Sequence, residues 1–268
     1  MLISRTWLAP HLPTLVLDEH RGHHTPMLEA LNLASHQLIG AQPEVIVAMS
    51  ARWNAPGPFR VDATRRHRAL NDFPGLGVEL RYDCPGHPTL ARALVAAGER
   101  SGLPVGIGAR GLDSGISIPL HFLMRGPRVP VVPLSLPTIS ASECRAWGAT
   151  LRRTLDVWKE RVTFLVGGVL SNNLHAWSFG RDVPEARELD EWALDAVKRG
   201  AWSELHAPRS RGILEQAKPE AMLRHFDVMR GFLGEDRPGD VRAYESGPGV
   251  GAALIAFDLV PVPEAAAR

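Results

Sequence analysis

VTFLVGGVLSNNLH, residues 162–175, opens as an unbroken apolar run, Val162 to Val166, breaks at Gly167-Gly168, and gives way to Ser171, Asn172 and Asn173. An apolar run this short, rich in β-branched residues and bounded by glycine, reads as a strand buried on both faces. Such strands belong to α/β folds, whose functional sites lie beyond the carboxyl ends of the sheet. The segment therefore carries a polar cluster to the place where such a fold keeps its chemistry. Serine and asparagine are also ordinary turn residues, because their short side chains bond their own backbone. On these residues alone, SNN reads as a turn first and as a working cluster second.

Outward from this strand, similar runs recur at 44–51, 77–83, 104–110, 129–136 and 252–259, alternating with helical patterns. That alternation predicts a single α/β domain with a central, mostly buried mixed sheet flanked by helices. Pro88 opens one helix, with Leu90, Leu94 and Ala97 on one face and Gly102 past its end. Ser140 and Glu143 form a capping box, in which each side chain bonds the other residue's backbone N–H. Trp147, Leu151, Leu155 and Trp158 follow at helical spacing, which reads as core. EARELDEWALDAVKRG (185–200) predicts a helix ending in Lys198-Arg199 and Gly200, and PEAMLRHFDVMRGFLG (219–234) another with Met222, Phe226 and Met229 on one side. The domain spans 1–262, and the Ala-rich stretch at 263–268 reads as a frayed tail.

Composition narrows the function. With 268 residues, 45% hydrophobic and 22% charged, the chain has ordinary globular usage. Thirty Lys and Arg against 29 Asp and Glu give a net charge of +1, which offers no electrostatic basis for binding nucleic acid or an anionic membrane. The basic clusters RRHR (65–68) and APRSRG (207–212) read as solvated loops. Cys84 and Cys144 form neither a metal spacing nor a disulfide framework, so a reducing cytoplasm is the expected compartment. Pro10, His11 and Pro13 interrupt the N-terminal apolar residues before they reach signal-peptide length.

Of the eleven histidines, the dense group HRGHH (20–24) fits no zinc spacing and reads as an exposed loop. His87 precedes a helix start and suits a cap, while His121 and His225 fall in apolar patterns and suit buried, hydrogen-bonded roles. His11 sits in a Pro-rich turn after a short apolar run. There is no GxSxG elbow, P-loop, GxGxxG after a strand, or HExxH. GPGVGAALIAF (247–257) is glycine-rich but precedes a strand, so it reads as a turn.

Taken in order, APHLP (9–13), SARWN (50–54), PGHPTLARALV (85–95), GLDSGISIPL (111–120), GGVLSNNL (167–174), ARELDEWALDAVKRG (186–200) and MLRHFDVMRGFL (222–233) resemble the catalytic (B-type) subunit family of class III extradiol ring-cleavage dioxygenases. The resemblance implies that family's fold and aromatic-compound metabolism. It also implies a non-haem Fe(II) site of two histidines and a carboxylate, or a third histidine, with a histidine acid–base partner. His11 matches the first ligand position. Arg52 stands at the second, Met222 at the third, Ser114 at the substrate-facing histidine and Asn172 at the acid–base.

The expectation that follows is a family member with a dismantled iron site, with no metal or other cofactor bound. It would serve as a non-catalytic subunit or as a binder of an anion or aromatic acid, in a pocket of His11, Arg52, Trp53, Ser114, Asn172 and Met222. Homodimerisation, or assembly with a catalytic homologue, is the corresponding partner expectation. The alternative is an active Fe(II) extradiol dioxygenase that cleaves a catechol-like substrate with substitute ligands.

Overall fold

The computed structural model describes residues 2–259 apart from 55, 127, 207–210 and 235. The first half of the chain contains β1 (Arg5–Ala9), α1 (Pro13–His20), α2 (Pro26–Gly40), β2 (Val45–Ser50), β3 (Phe59–Asp62), β4 (Arg66–Phe73), β5 (Val78–Pro85), α3 (Pro88–Arg100), β6 (Val105–Gly108) and α4 (Ser114–Leu123). The second half adds β7 (Val131–Ser135), α5 (Ala141–Asp156), β8 (Val162–Gly167), α6 (Leu174–Ser178), α7 (Pro184–Arg199), α8 (Arg211–Ala217), α9 (Arg224–Leu233), β9 (Asp240–Gly247) and β10 (Val250–Asp258).

An eight-stranded sheet runs in the order β6-β3-β7-β2-β8-β1-β10-β9, mixed in direction. Its centre is parallel: β8 lies between β2 and β1 and runs with both. Every residue of β2 and β8 is buried, as continuous apolar runs require when helices cover both faces. One face packs against α3, α5, α7 and α9 through residues such as Leu94, Trp147, Val197 and Phe232. The other packs against α2 and α4 through Leu31, Ile116 and Phe122. At about 2 kcal/mol for each fully buried large apolar side chain, these two layers are the main source of stability.

The parallel centre has a direct consequence. The carboxyl ends of β1, β2 and β8 stand side by side, so His11, Arg52 and Asn172 emerge from one edge of the sheet. Close approach is needed there, and two glycines supply it. A Cβ on Gly167 would lie 1.6 Å from the Gly115 carbonyl oxygen, and one on Gly115 would lie 2.2 Å from Ser50 Oγ.

Three differences from the sequence reading bear on the architecture around the site. The 77–83 run belongs to a separate two-stranded antiparallel sheet, β4–β5, packed on α4 and α1. Its alternating burial, with Val78, Leu80, Tyr82 and Cys84 inward, is the mark of a half-solvated pair rather than of a covered strand. RRHR opens β4, with His67 buried, instead of forming a loop. The helix expected across 219–234 begins only at Arg224, because Ala221, Met222 and Leu223 adopt left-handed φ of 46°, 52° and 58°. The second basic cluster, 207–212, and the tail from 263 fall wholly or largely outside the described residues. Among the described residues, no helix is long and apolar enough to cross a membrane.

Candidate ligand site at the strand ends

A cavity of ≈ 170 Å³ opens at this edge of the sheet. His11, Arg52, Ser114 and Asn172 contribute its polar wall, and Thr14 joins them. Leu12, Pro13, Phe73, Leu174, Trp177 and Val250 make the rest apolar. Phe73 arrives at the end of β4, so the small hairpin is what brings an aromatic ring to this wall.

His11 is 2% exposed, and its Nε2 lies 2.9 and 3.0 Å from the two carboxylate oxygens of Glu220. The Val169 backbone N–H donates to the same carboxylate at 2.8 Å. Burial alone drives the Glu220 carboxyl upward. His11 outweighs that effect by charge and hydrogen bonding, helped by His225 and the Val169 amide, so the net shift is below the usual carboxylate range. Glu220 is therefore an anion, and His11 donates its Nε2–H to it.

His225, on the first turn of α9, is fully enclosed beside this pair. Its ring lies against the Val169 backbone and is buried, as the sequence reading expected. Burial pushes its pKa down to about 4, so it is neutral near pH 7. Gly168 packs directly on the ring, and a Cβ there would meet Cδ2 at 2.8 Å.

Glu220 was absent from the sequence-derived set, and the reason is local. Met222, aligned as the third ligand position, is 57% exposed and stands outside the cavity. A left-handed turn over 221–223 swings it outward and turns Glu220 inward. Non-glycine residues pay about 1–2 kcal/mol each for that conformation, and such outliers concentrate where geometry is over-determined by function. Nothing in Ala-Met-Leu signals a left-handed turn, so only the tertiary structure reveals it. We expect Met222→Gly to raise stability by about 1 kcal/mol, since glycine tolerates this φ freely and little packing is lost. Denaturant midpoints of the two proteins check this.

Trp53 also lies off the cavity. It is buried against Gly108, and its carbonyl accepts from the Leu136 amide. Arg52 itself is held by a relay. Ser50 Oγ accepts the Arg52 N–H at 3.1 Å and donates to Asp113 Oδ1 at 2.7 Å, and Asp113 is paired with Arg110. The Arg52 guanidinium has no ion pair or hydrogen bond among the described residues and is solvent-exposed at the cavity wall.

The SNN cluster divides by role. Ser171 donates its N–H and Oγ–H to buried Asp190 at 2.8 and 2.9 Å, and Tyr244 Oη donates to the same carboxylate. Asn173 caps α6 by accepting the Ala176 N–H. Only Asn172 faces the cavity. Burial pushes the Asp190 carboxyl from 3.8 up to about 6, against the pull of these three donors. A folded-state pKa raised in this way means the folded chain binds the proton more tightly than the unfolded chain. This carboxyl's contribution to stability therefore falls as pH rises from about 4 to 6, by roughly 3 kcal/mol at most. Denaturation at pH 4.5 and 7.5 should show that slope in the native chain and its absence in Asp190→Asn.

The other histidines singled out in the sequence, His20, His23, His24, His87 and His121, do not line the cavity. His20, His23 and His24 are exposed, and His23 pairs with Asp18 at 2.9 Å. His87 caps α3 by accepting the Leu90 N–H and also pairs with Glu160. His121 is partly exposed and bonds Glu19 rather than being buried.

A match to the family model described as the catalytic LigB subunit of aromatic ring-opening dioxygenase covers residues 5–255. The chain is 25% identical over 214 residues to a 4,5-DOPA dioxygenase extradiol of Beta vulgaris, covering 76% of each protein. It is 25% identical to the dioxygenase tasH of Hapsidospora irregularis, covering 76% of this chain and 66% of that one. In fold it is similar to a crystal structure of the uncharacterized protein JW3007 of Escherichia coli K12. That likeness has a TM-score of 0.61 at 17% identity and covers 85% of this chain and 91% of that one.

Enzymes of this family usually use Fe(II), and the donor set in this cavity does not fit it. His11 and Glu220 converge, but they are closed on each other by a hydrogen bond. Among the described residues no group of three His, Cys, Asp or Glu is placed to hold a metal. Arg52 places a guanidinium on the same wall, and its fixed charge opposes a dication in that space. The fold and the matched segment nonetheless leave no doubt of descent: the chain belongs to the family of the catalytic LigB subunit of aromatic ring-opening dioxygenases.

Proposed function

We propose that this chain is a non-catalytic family member that binds a small aromatic carboxylate in the strand-end cavity, with Arg52 as the anion receptor. The observation that carries this reading is a guanidinium without an ion pair among the described residues, on the wall of a largely apolar cavity. Arginine offers a planar fork of donors matched to a carboxylate, and the bond is stronger where neighbouring apolar groups exclude water. Two helix starts add to the field. The first turns of α1 and α4 border the cavity, and neither has a side-chain cap on its N–H groups. Both therefore favour negative charge there.

Size favours a single ring, since a cavity of about 150 Å³ is enough to take benzene. Phe73 and Trp177 supply aromatic surface for it. Asn172 stands where the family has its acid–base histidine. An amide orients a ligand by hydrogen bonding but does not shuttle a proton near neutral pH. Ser114 offers a further hydroxyl. These substitutions support binding over ring cleavage.

Two measurements test the reading together. Calorimetry with benzoate and 4-hydroxybenzoate should show one site per chain, with inorganic phosphate binding more weakly because it leaves the apolar wall unused. Elemental analysis after anaerobic Fe(II) loading and desalting should show no stoichiometric metal. One firmly held iron per chain would overturn the proposal and favour an active Fe(II) extradiol dioxygenase with substitute ligands. Co-purification with a homologue carrying the full histidine set would assign the binding role to a subunit of a larger assembly.

A further inference from the structure

We infer that the ligand of this cavity carries a second aromatic ring, which lies outside the cavity against Leu174 and Trp177 of α6. That assignment rests on the binding role proposed above and names what the ligand carries besides its first ring and its carboxylate.

The cavity and its rim differ in exposure. A volume of ≈ 170 Å³ takes one ring, so a larger ligand has to leave the cavity somewhere. His11 and Val250 are buried in the wall. Leu174 and Trp177 line the same cavity and yet are 47% and 36% exposed. Each therefore presents one part to the cavity and another to solvent. They stand three residues apart on α6, so they share one side of the helix and form a continuous apolar strip. A single-ring ligand leaves the outer part of that strip in water. A second ring attached to the first covers it without entering the cavity.

The distribution of exposed aromatic residues is a second, independent observation. Among the described residues, Trp177 and Phe179 are the only exposed Trp, Phe or Tyr side chains. Both belong to the α6 segment, Phe179 as its C-cap. Exposed apolar residues scattered singly need no explanation, whereas a group of them marks a contact surface. This surface is also fixed in place. Asn173 accepts the Ala176 N–H at 3.1 Å, its Nδ2 donates to the Gln216 carbonyl at 2.6 Å, and its amide donates to the Gly249 carbonyl at 2.8 Å. Ala176 is fully buried beneath the helix. A surface anchored before the ligand arrives loses little freedom on binding.

The side chains set the chemistry of the second group. An isobutyl group and an indole face carry no charge, so a charged distal group would lose water there and gain no partner. A flat ring suits Trp177 by offset stacking. Covering on the order of 60 Å² of apolar surface corresponds to about a tenfold gain in affinity.

Calorimetry on the full chain compares benzoate with 3-phenylbenzoate, 4-phenylbenzoate and terephthalate. At least one phenylbenzoate should bind about tenfold more tightly than benzoate, and terephthalate, whose distal group is charged, should show no such gain. In Trp177→Ala the ratio of phenylbenzoate to benzoate affinity should fall to about twofold or less, because the ratio cancels any loss common to both ligands. Leu174→Ala should give an intermediate ratio. Intermolecular NOEs from the distal ring to the Trp177 indole in the native complex supply a readout that needs no variant. Equal affinities for benzoate and both phenylbenzoates, distal-ring NOEs that miss α6, or a gain that survives in Trp177→Ala would overturn the inference and leave the single-ring binding role intact. Concentration-dependent self-association abolished by Trp177→Ala would assign this face to a second copy of the chain and overturn it likewise. No binding of any aromatic carboxylate would overturn both the inference and the binding role.

Discussion

Arg52→Ala should abolish measurable binding of benzoate-class ligands while leaving the fold untouched; this is the largest functional effect expected of any single substitution in the chain. Truncating one partner of a hydrogen-bonded charge pair typically costs about 2–5 kcal/mol, which corresponds to a loss of affinity of at least about thirtyfold. The guanidinium is exposed, and its removal breaks no ion pair or hydrogen bond among the described residues. The melting temperature should therefore stay within about 2 °C. Arg52→Lys should recover only part of the affinity, because an ammonium is a point charge without the planar fork. Calorimetry with 4-hydroxybenzoate on the three proteins checks both statements. Equal affinity in Arg52→Ala would mean that the cavity selects its ligand without the cation.

Glu220→Ala should be the most damaging substitution for stability. It leaves the His11 Nε2–H and the Val169 N–H without their acceptor in a site only 6% exposed at Glu220. Removing one partner of a buried ion pair costs about 3–5 kcal/mol. The denaturant midpoint should fall accordingly, with little change in slope. Glu220→Gln keeps an acceptor for one donor and should lose about 1–2 kcal/mol.

The acid limb of stability follows with a defined sign. The folded-state pKa of Glu220 lies below its ordinary value, so its stabilisation is complete above that value and is lost as pH falls through the lowered one. Glu220→Gln should flatten that limb. It acts in the opposite direction to Asp190, whose raised pKa costs stability as pH rises through about 6. The two windows are separate, and the two variants distinguish them.

Much of this architecture is written in local sequence, because its causes are local. The apolar runs at 44–51, 129–136, 162–168 and 252–259 correspond to β2, β7, β8 and β10, since strands covered on both faces must be apolar throughout. The Ser140–Glu143 capping box and the left-handed Gly200 close their helices as their residue types dictate. β1 and β3 are only five and four residues long, and β4 and β9 are largely polar, so no strand pattern marks them and tertiary packing rather than propensity makes them strands. The order of motifs sufficed for the family. His11, Arg52, Ser114 and Asn172 could be placed together from that resemblance because each follows a strand end or opens a helix in the fold it implies.

The rest required the folded chain. The resemblance put Met222 at a ligand position and Trp53 beside Arg52 in the pocket, but neither lines the cavity, and a left-handed turn carries Met222 outward. That same turn made Glu220 invisible: its place beside His11 depends on a backbone conformation that its residues disfavour and that only surrounding packing maintains. Phe73 likewise reaches the cavity through a hairpin whose docking onto α1 and α4 no local pattern encodes. Sequence determined the elements, their order and the family, because hydrophobic period and capping chemistry act within a few residues. Tertiary structure alone decided that the His11 imidazole is closed on a carboxylate, since that contact joins residues 209 positions apart.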